Sequence, residues 1–323
     1  MAGKNLYVHF PFCRQRCSYC TLFSRIAIPK SERDRYAANL AQYAKGKYDT
    51  IYFGGGSPAL CDLTAILEVV EADEFTVELH PLDVTEETLK KLSGHGVNRI
   101  SMGVQTLDES TLVAMGRMYT PLQAAKAFET VKKYFDNAGI DIILGYPGDK
   151  AYWFKELEQW GLNHCSVYSL QNERNLKNTP NDDIVLDMIK EAAQLLSQFG
   201  LQRYEISNYA KAGYECKHNL AVWRGEDYIG LGEGAYGREG LLRTKNKATK
   251  SEKISSVESS YDRIERALFS LRTKYGLDSK NFPEWEESLD RFTAQGLLKR
   301  NNSVYCLTER GTEVCDAIIA ELI

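Results

Sequence analysis

Three cysteines lie close together near the start of the chain, within the segment HFPFCRQRCSYC. Cys13, Cys17 and Cys20 are spaced so that their thiolates can converge on one soft metal centre. A zinc ion usually has four protein ligands in structural sites, and no second Cys-x-x-Cys pair is present to complete the set. Three interpretations are open: three packed thiols, a zinc ion completed by His9, or a cube of four irons and four sulfides. Three thiolates on such a cube would leave one iron open to a small molecule.

Polar and glycine-rich residues also follow the next three strand-like segments. They are GGGSP at 54–58 after the second segment, Glu78 and His80 in the third, and Gln105 at the end of the fourth. In a barrel of parallel strands, the carboxyl ends of all strands lie on one face, where ligands bind. The sequence therefore predicts that these groups form one site together with the cysteines.

The elements that would position this site alternate along the first two-thirds of the chain. Runs rich in Val, Ile, Phe and Tyr predict strands, and longer polar segments with helical spacing lie between them. Strand–helix alternation predicts a parallel sheet covered by helices, and six units predict an incomplete (β/α)6 TIM-like barrel in residues 1–205. The six predicted strands are 6–12, 50–56, 75–81, 99–105, 140–148 and 165–171.

The pattern changes in the last third of the chain. Residues 206–259 are rich in glycine and charge and contain no long periodic element, so they are interpreted as a connecting segment. Residues 260–323 predict two helices, a hairpin turned at Asn301-Asn302 and a last helix, which is an α+β winged-helix-like domain. This region holds nine Lys and Arg against eleven Asp and Glu, a net charge of −2. Without a basic face we predict no nucleic-acid partner.

The composition of the 323 residues narrows the class of protein further. The net charge is −4, and no apolar run approaches the ~18 residues that cross a bilayer. The first residues do not resemble a secretory signal, so we predict a cytoplasmic protein without a membrane-spanning segment. The five other cysteines are scattered, and a small buried side chain is the usual role of such residues. Cys216 is the exception discussed below.

The spacing Cys-x3-Cys-x2-Cys after the first strand of an incomplete barrel resembles the radical S-adenosylmethionine (SAM) superfamily. The blocks YVHFPFC, FGGGSP, RISMGVQT, GRMY, DIILGYPG and RYEISNYA resemble, in the same order, the oxygen-independent coproporphyrinogen oxidase group of that superfamily. The resemblance implies a [4Fe-4S] cluster on the three cysteines, SAM on the open iron and an electron donor for the cluster. In such proteins the cofactor carries the radical chemistry and the protein positions it.

The resemblance also carries roles to individual residues. Glycines at the strand end allow the backbone to approach a ligand closely, and Ser57 keeps the hydroxyl of the threonine that is usual in the group. Asp141 could instead be an ordinary strand residue, and Arg117 could be a helix cap. The SAM contacts implied are Tyr7, Tyr19, Gly55, Gly56, Ser57, Glu78, Gln105, Arg117 and Asp141, of which the last three match contacts to a second SAM in the oxidase.

Two features separate true dehydrogenases of this group from its heme chaperones. The oxidase pattern has a fourth cysteine where this chain has Leu22. The chaperones carry a His-Asn-x-x-Tyr-Trp block, which resembles HNLAVW here, with Val222 in place of the tyrosine. We therefore predict His218 as a heme ligand, Cys216 as a second possible ligand and Trp223 as a stacking partner for the porphyrin. A structural, hydrogen-bonded role for His218 is the alternative.

Three functions are consistent with these residues. The first is a heme chaperone that holds a [4Fe-4S] cluster, SAM and heme and passes heme to an acceptor hemoprotein. The second is an enzyme, either a coproporphyrinogen III dehydrogenase or another radical SAM enzyme that acts on a tetrapyrrole. The third is a plain iron–sulfur electron carrier, which would not need Glu78 or the glycine-rich strand end. The absence of the fourth cysteine favours the chaperone.

Overall fold

Six parallel strands form the centre of the fold, and each overlaps a strand that the sequence predicted. The structure is a computed structural model that describes residues 5–247 and 250–323. Each strand pairs in parallel with the next one along the chain. The strands are β1 (Asn5–Phe10), β2 (Gly46–Gly55), β3 (Val70–Leu79), β4 (Arg99–Gln105), β5 (Asn137–Leu144) and β6 (His164–Ser169).

The barrel is incomplete, as predicted, because its first and last strands do not pair with each other. The free edge of β6 pairs antiparallel with β8 (Asn208–Ala210), which pairs in turn with β7 (Gln202–Arg203). The free edge of β1 pairs in parallel with β9 (Tyr228–Leu231). The sheet therefore stays open, and chain segments from outside the six-strand unit cover both of its edges.

Helices connect the strands, and their first turns are fixed by short polar caps. Thr85, Asp108 and Thr120 each accept a hydrogen bond from a backbone N–H three residues later, which satisfies a donor that the helix itself leaves free. Two of the helical connections are short or irregular. Between β2 and β3 the helix α2 has only four residues, and between β5 and β6 a 3-10 helix, Tyr152–Trp160, takes the place of an α-helix. The helices are α1 (Lys30–Ala44), α2 (Thr64–Leu67), α3 (Glu86–Gly94), α4 (Glu109–Met115), α5 (Pro121–Lys132) and α6 (Asp182–Gln198).

The strands alternate between an apolar outer face and a polar inner face. On β1, Leu6, Val8 and Phe10 are fully buried in the core between sheet and helices. The residues between them point to the opposite face, because successive side chains of a strand alternate. On that face the Asn5 and Thr50 side chains hydrogen-bond to each other at 2.7 Å. The inside of the barrel is therefore lined by groups that can bind polar ligands.

The segment 206–259 is more ordered than the sequence predicted. It contains α7 (Lys217–Trp223), and β9 is followed by three antiparallel strands that widen the sheet. These elements are only four to seven residues long, so no long periodic pattern marks them in the sequence. The added strands are β10 (Tyr236–Glu239), β11 (Leu242–Lys247) and β12 (Lys250–Ser256).

The C-terminal region has an apolar core of its own. Its three-stranded antiparallel sheet has the order β13 (Leu277–Asp278), β15 (Val304–Leu307), β14 (Leu298–Asn301). The predicted hairpin is confirmed, with Asn302 in the left-handed conformation at φ 54°. The predicted last helix is two short helices. The helices are α8 (Ser259–Leu271), α9 (Glu286–Ala294), α10 (Glu309–Glu313) and α11 (Cys315–Leu322).

No helix in the described part of the chain is long and apolar enough to cross a membrane. The division at residues 205/206 and 259/260 and the cytoplasmic location stay predictions.

Candidate functional site: two adjoining cavities

A cavity of about 530 Å³ lies at the carboxyl ends of the barrel strands, where the sequence predicted the site. The three cysteines and seven of the nine residues predicted to contact SAM line it. The structure thus brings the four separate segments to one cavity, because parallel strands have their carboxyl ends on one face. The predicted residues that line it are Cys13, Cys17, Cys20, Tyr19, Gly55, Gly56, Glu78, Gln105, Arg117 and Asp141.

The three thiols are close enough to influence one another. Burial raises the pKa of the Cys13 thiol to about 11, and the neighbouring thiols of Cys20 and Cys17 contribute to that increase. Gly56 packs against this thiol so tightly that a Cβ atom there would lie 2.9 Å from Cys13 Sγ. Glycine at position 56 is therefore needed for the loop that carries the three cysteines, the cysteine loop, to lie against the end of β2.

The zinc alternative is not favoured, because both ring nitrogens of His9 have protein partners. Nδ1 lies 2.8 Å from the Tyr7 hydroxyl and Nε2 lies 3.0 Å from the Phe23 carbonyl oxygen. Within residues 5–247 and 250–323, no group of three or more His, Cys, Asp or Glu side chains is arranged to hold a single metal ion. A four-iron cluster spreads its thiolate ligands further apart than one ion does. Three neighbouring cysteines without a fourth protein ligand fit such a cluster.

Arg117 connects the cysteine loop to β4. Its guanidinium donates to the Gly103 carbonyl oxygen at 2.7 Å and to Cys17 Sγ at 3.6 Å. The side chain is thus held between the strand end and a thiol, and not in a helix cap.

Two partly buried carboxylates line the same cavity. Glu78 Oε1 accepts a hydrogen bond from the Tyr52 hydroxyl at 2.9 Å, and Oε2 accepts one from the Gly55 N–H at 3.0 Å. Burial, followed by the charge of Asp141, raises the pKa of Glu78 to about 7. Asp141 accepts from the Ser101 hydroxyl at 3.0 Å, and burial raises its pKa as well. The site can therefore take up a proton near neutral pH.

Gln105 has a strained backbone at the end of β4. Its φ of 68° is left-handed, which few non-glycine residues adopt, and the register of β4 shifts between Gly103 and Gln105. A Cβ on Gly103 would lie 2.8 Å from Gln105 Nε2, so the side chain folds back over its own strand. Strain of this kind is typical of ligand sites.

Two residues predicted to contact SAM do not line the cysteine cavity. The Ser57 hydroxyl is buried and donates to Asp83, which also accepts from Arg14 Nε at 3.1 Å. Ser57 therefore holds the glycine-rich loop and does not present its hydroxyl to a ligand. Tyr7 lines the second cavity instead.

A second cavity of about 740 Å³ adjoins the first. Tyr52, Glu78 and Tyr168 line both cavities, as does Leu22, the residue at the position of the oxidase's fourth cysteine. The volume lies within the range of small-molecule and cofactor sites, about 300–1,000 Å³. Among the residues on its wall are Tyr7, His9, Phe23, His218, Asn219, Val222, Trp223, Tyr228 and Tyr236.

A chain of hydrogen bonds assigns the tautomer of His218. Asn5 Nδ2 donates to the Asp227 carbonyl oxygen at 3.0 Å, so its Oδ1 is the atom that accepts from the Thr50 hydroxyl. Because the Thr50 hydroxyl donates its only hydrogen to Asn5, its oxygen must accept a hydrogen bond from His218 Nδ1, which lies 2.8 Å away. The proton is therefore on Nδ1 and Nε2 carries the lone pair. Burial, followed by Arg99, lowers the pKa of His218 to about 3, which keeps the ring neutral.

Cys216 is not on the wall of either cavity. Its thiol is fully buried and donates to Glu74 Oε1 at 3.7 Å, and burial raises its pKa to about 12. The same carboxylate accepts from the backbone N–H groups of Lys217 and His218 and so caps α7. The structure thus does not support the prediction of Cys216 as a second heme ligand, because a neutral thiol directed at a helix cap faces away from the cavity.

Trp223 ends α7 on the cavity wall, where its ring meets Phe269 edge-on at 5.6 Å between centroids. Sequence reasoning missed the residues that position these groups, above all Tyr52, Thr50 and Asn5. The signal was present for two of them, because Thr50 and Tyr52 alternate with the apolar residues of TIYFGGG and so share the inner face.

Comparisons with known proteins identify the class that this fold and site define. Residues 7–160 match the family profile described as the Radical SAM superfamily. The solved structure of coproporphyrinogen III oxidase from Escherichia coli superimposes with a TM-score of 0.82, covering 99% of this chain and 90% of that one. The two sequences are 18% identical, so this likeness shows the fold. The chain is a radical SAM protein, and a [4Fe-4S] cluster and SAM are the cofactors of that class.

Curated relatives narrow the assignment. The heme chaperone HemW of Lactococcus lactis is 32% identical, over 96% of this chain and 95% of that protein. The heme chaperone HemW of Bacillus subtilis is 31% identical, over 99% of this chain and the whole of that protein. The chain belongs to the HemW family.

Proposed function

We propose that this protein is a heme chaperone that binds heme in the larger cavity and passes it to an acceptor hemoprotein. The observation that carries the proposal is the lone pair of His218 Nε2, on a side chain that lines this cavity and has its Nδ1 proton held by Thr50. A neutral imidazole whose other nitrogen donates to a fixed oxygen is the usual form of a histidine metal ligand. The name of the relatives, heme chaperone, supports the same cargo.

The cavity wall suits a flat, largely apolar molecule. Trp223 offers an aromatic surface, and Val222 and Leu22 add aliphatic contact area. Val222 stands where the chaperone block has a tyrosine, so this protein uses a purely apolar contact at that point. His218 would bind the iron and Trp223 would pack on the porphyrin.

The cysteine cavity would hold the cluster and SAM beside the cargo. Cys13, Cys17 and Cys20 would ligate three irons, while Glu78 and Arg117 would orient SAM at the fourth. Reductive cleavage of the SAM sulfonium is the chemistry that such a centre supplies when it is bound, and an electron donor is then required. The seven predicted SAM contacts on this wall remain part of the proposal, as do the acceptor hemoprotein and a cytoplasmic location.

The dehydrogenase alternative is disfavoured by Leu22. This side chain is 54% exposed and lies on the wall shared by the two cavities, where the oxidase pattern has its fourth cysteine. An aliphatic group at this position can neither donate nor accept a proton or an electron. It can only contribute apolar contact to a bound molecule.

The test is a hemin titration of the anaerobically reconstituted protein, followed by absorbance in the Soret region. The wild type is compared with His218→Ala and with Cys216→Ala, a matched control whose thiol does not reach the cavity. We expect stoichiometric binding by the wild type and the Cys216 variant and at least tenfold weaker binding by the His218 variant. Coproporphyrinogen III and SAM are assayed in the same samples. Consumption of coproporphyrinogen would show that the protein is the dehydrogenase and not a chaperone. Equal hemin affinities in all three proteins would show that His218 does not bind the heme.

A further inference from the structure

Two cationic side chains on the wall of the larger cavity form no ion pair with any side chain that the structure describes. Arg16 directly precedes Cys17 in the cysteine loop, and Lys245 lies on β11. Among the residues that the structure describes, neither forms an ion pair, and Lys245 Nζ lies over the Tyr236 ring, 4.9 Å from its centroid. Two arginines close to Arg16 in the sequence are paired, Arg14 with Asp83 and Arg25 with Glu32. Unpaired cations at a cavity are available to a bound anion.

The acidic residues of the same wall are placed differently. Glu205 is buried and Glu78 is partly buried, and burial raises the pKa of each carboxyl group. Glu205 Oε1 accepts from the Ser207 N–H at 2.8 Å, so it already has partners within the protein. Arg16 is exposed and Lys245 is partly exposed. The cavity is thus positively charged on its solvent side and carries its carboxyl groups on the barrel side.

The two cations belong to segments that pack against each other. Tyr236 and Lys245 are directly opposite residues of β10 and β11. The turn that leads into β10 contacts the cysteine loop, since a Cβ on Gly234 would lie 3.0 Å from Phe23 Cβ. Arg16 stands seven residues before Phe23 in the same loop. The loop and the strand pair therefore form one continuous wall with a cation on each side of the contact.

We propose that Arg16 and Lys245 bind the two propionate carboxylates of the heme, and so orient it with the propionates toward solvent and the iron toward His218. This rests on the proposed heme binding and adds the part of the cavity that recognises the acidic edge of the molecule. Arginine can bind a carboxylate through two parallel N–H groups, while lysine acts as a point charge. Apolar contact would set the affinity for the macrocycle, and the two cations would set the orientation in which it binds.

The test compares hemin with hemin dimethyl ester, in which both carboxylates are neutral. Arg16→Gln and Lys245→Met remove one charge each, and Arg16→Lys and Lys245→Arg keep it. At low ionic strength we expect each neutral variant to bind hemin about three- to tenfold more weakly, and the double variant to combine the losses. The ester should bind the wild type and the variants equally. The hemin effect should shrink in high salt, because these charges are near solvent.

Arg35→Gln and Lys155→Met serve as controls, since both side chains are exposed and outside the cavities. Hemin affinity that is unchanged in both cavity variants would overturn the assignment of the propionate sites while leaving heme binding intact. Equal losses for hemin and its ester would also overturn it, because the residues would then act through shape and not through charge. A wild type that binds neither compound would instead overturn the proposed function itself.

Discussion

The Tyr52 hydroxyl donates to the Glu78 carboxylate at 2.9 Å, and both side chains line both cavities. The pair forms the partition between the cavity of the cysteines and the cavity of His218. Tyr52 also packs against the His218 ring, at 5.4 Å between centroids. One hydrogen bond and one ring contact therefore connect Glu78 to the predicted heme ligand.

The first prediction concerns pH and Glu78. Its pKa is raised from 4.5 to about 7, first by burial, so between these values the folded protein binds more protons than the unfolded chain. Stability contributed by this group is therefore present at low pH and is lost as the pH rises toward 7. We expect the free energy of unfolding of Glu78→Gln, minus that of the wild type, to be about 2 kcal/mol higher at pH 8 than at pH 5.5. Urea denaturation of the cofactor-free proteins at both values measures it.

The exposed Glu158→Gln is the control for this experiment, and its difference from wild type should not change with pH. A difference for Glu78→Gln that is the same at both pH values would show that the carboxyl group is ionised throughout.

The second prediction concerns the orientation of His218. Thr50→Val removes the oxygen that accepts the Nδ1 proton, while Thr50→Ser keeps it. Loss of such a supporting partner typically costs 10–100-fold in metal affinity. We expect hemin to bind about tenfold more weakly to the valine variant, with an altered Soret spectrum, and almost normally to the serine variant. Equal affinity and identical spectra in the two variants would mean that Thr50 does not position the ring.

The third prediction concerns the glycine beside Cys13. A Cβ at position 56 would lie 2.4 Å from the Phe12 carbonyl oxygen and 2.9 Å from Cys13 Sγ, so the loop must shift. We expect Gly56→Ala to retain less than half of the wild-type iron and sulfide after anaerobic reconstitution, because the shift moves a ligand. Gly94→Ala is the matched control, since nothing lies within 4 Å of a Cβ there. Equal iron content in both variants would contradict the prediction.

The fourth prediction separates strain from binding at Gln105. Its left-handed backbone costs a non-glycine residue roughly 1–2 kcal/mol, which glycine avoids. We expect Gln105→Gly to be about 1 kcal/mol more stable than Gln105→Ala in urea denaturation, after allowing for the flexibility of glycine in the unfolded chain. Both variants lose the amide and should bind SAM about tenfold more weakly, as calorimetry can measure. Unchanged SAM affinity would remove the side chain from the site.

Much of the first cavity could be predicted from the sequence, because the sequence features that indicate it are short and local. Each strand shows as a short run of Val, Ile, Phe and Tyr, and each ligand group stands at the end of such a run. The geometry of parallel strands then brings Cys13, Gly55, Glu78 and Gln105 to one face without any knowledge of side-chain contacts. The same reasoning overlooked β9 to β12, since strands of four to seven residues carry too little periodicity to recognise.

The sequence by itself determined the class of fold, and it predicted the cysteine site and His218 as a heme ligand. Only the tertiary structure decided which side chains face a ligand. Ser57 turns to Asp83, and Cys216 turns to Glu74 across 142 positions of chain, while His218, two residues further on, meets Thr50 from 168 positions away. Cys216 is the N-cap residue of α7, with an extended backbone, while His218 lies in the first turn of the helix, so the two side chains face different environments. Which environment each one meets depends on contacts between distant segments, and local sequence patterns carry no record of these contacts.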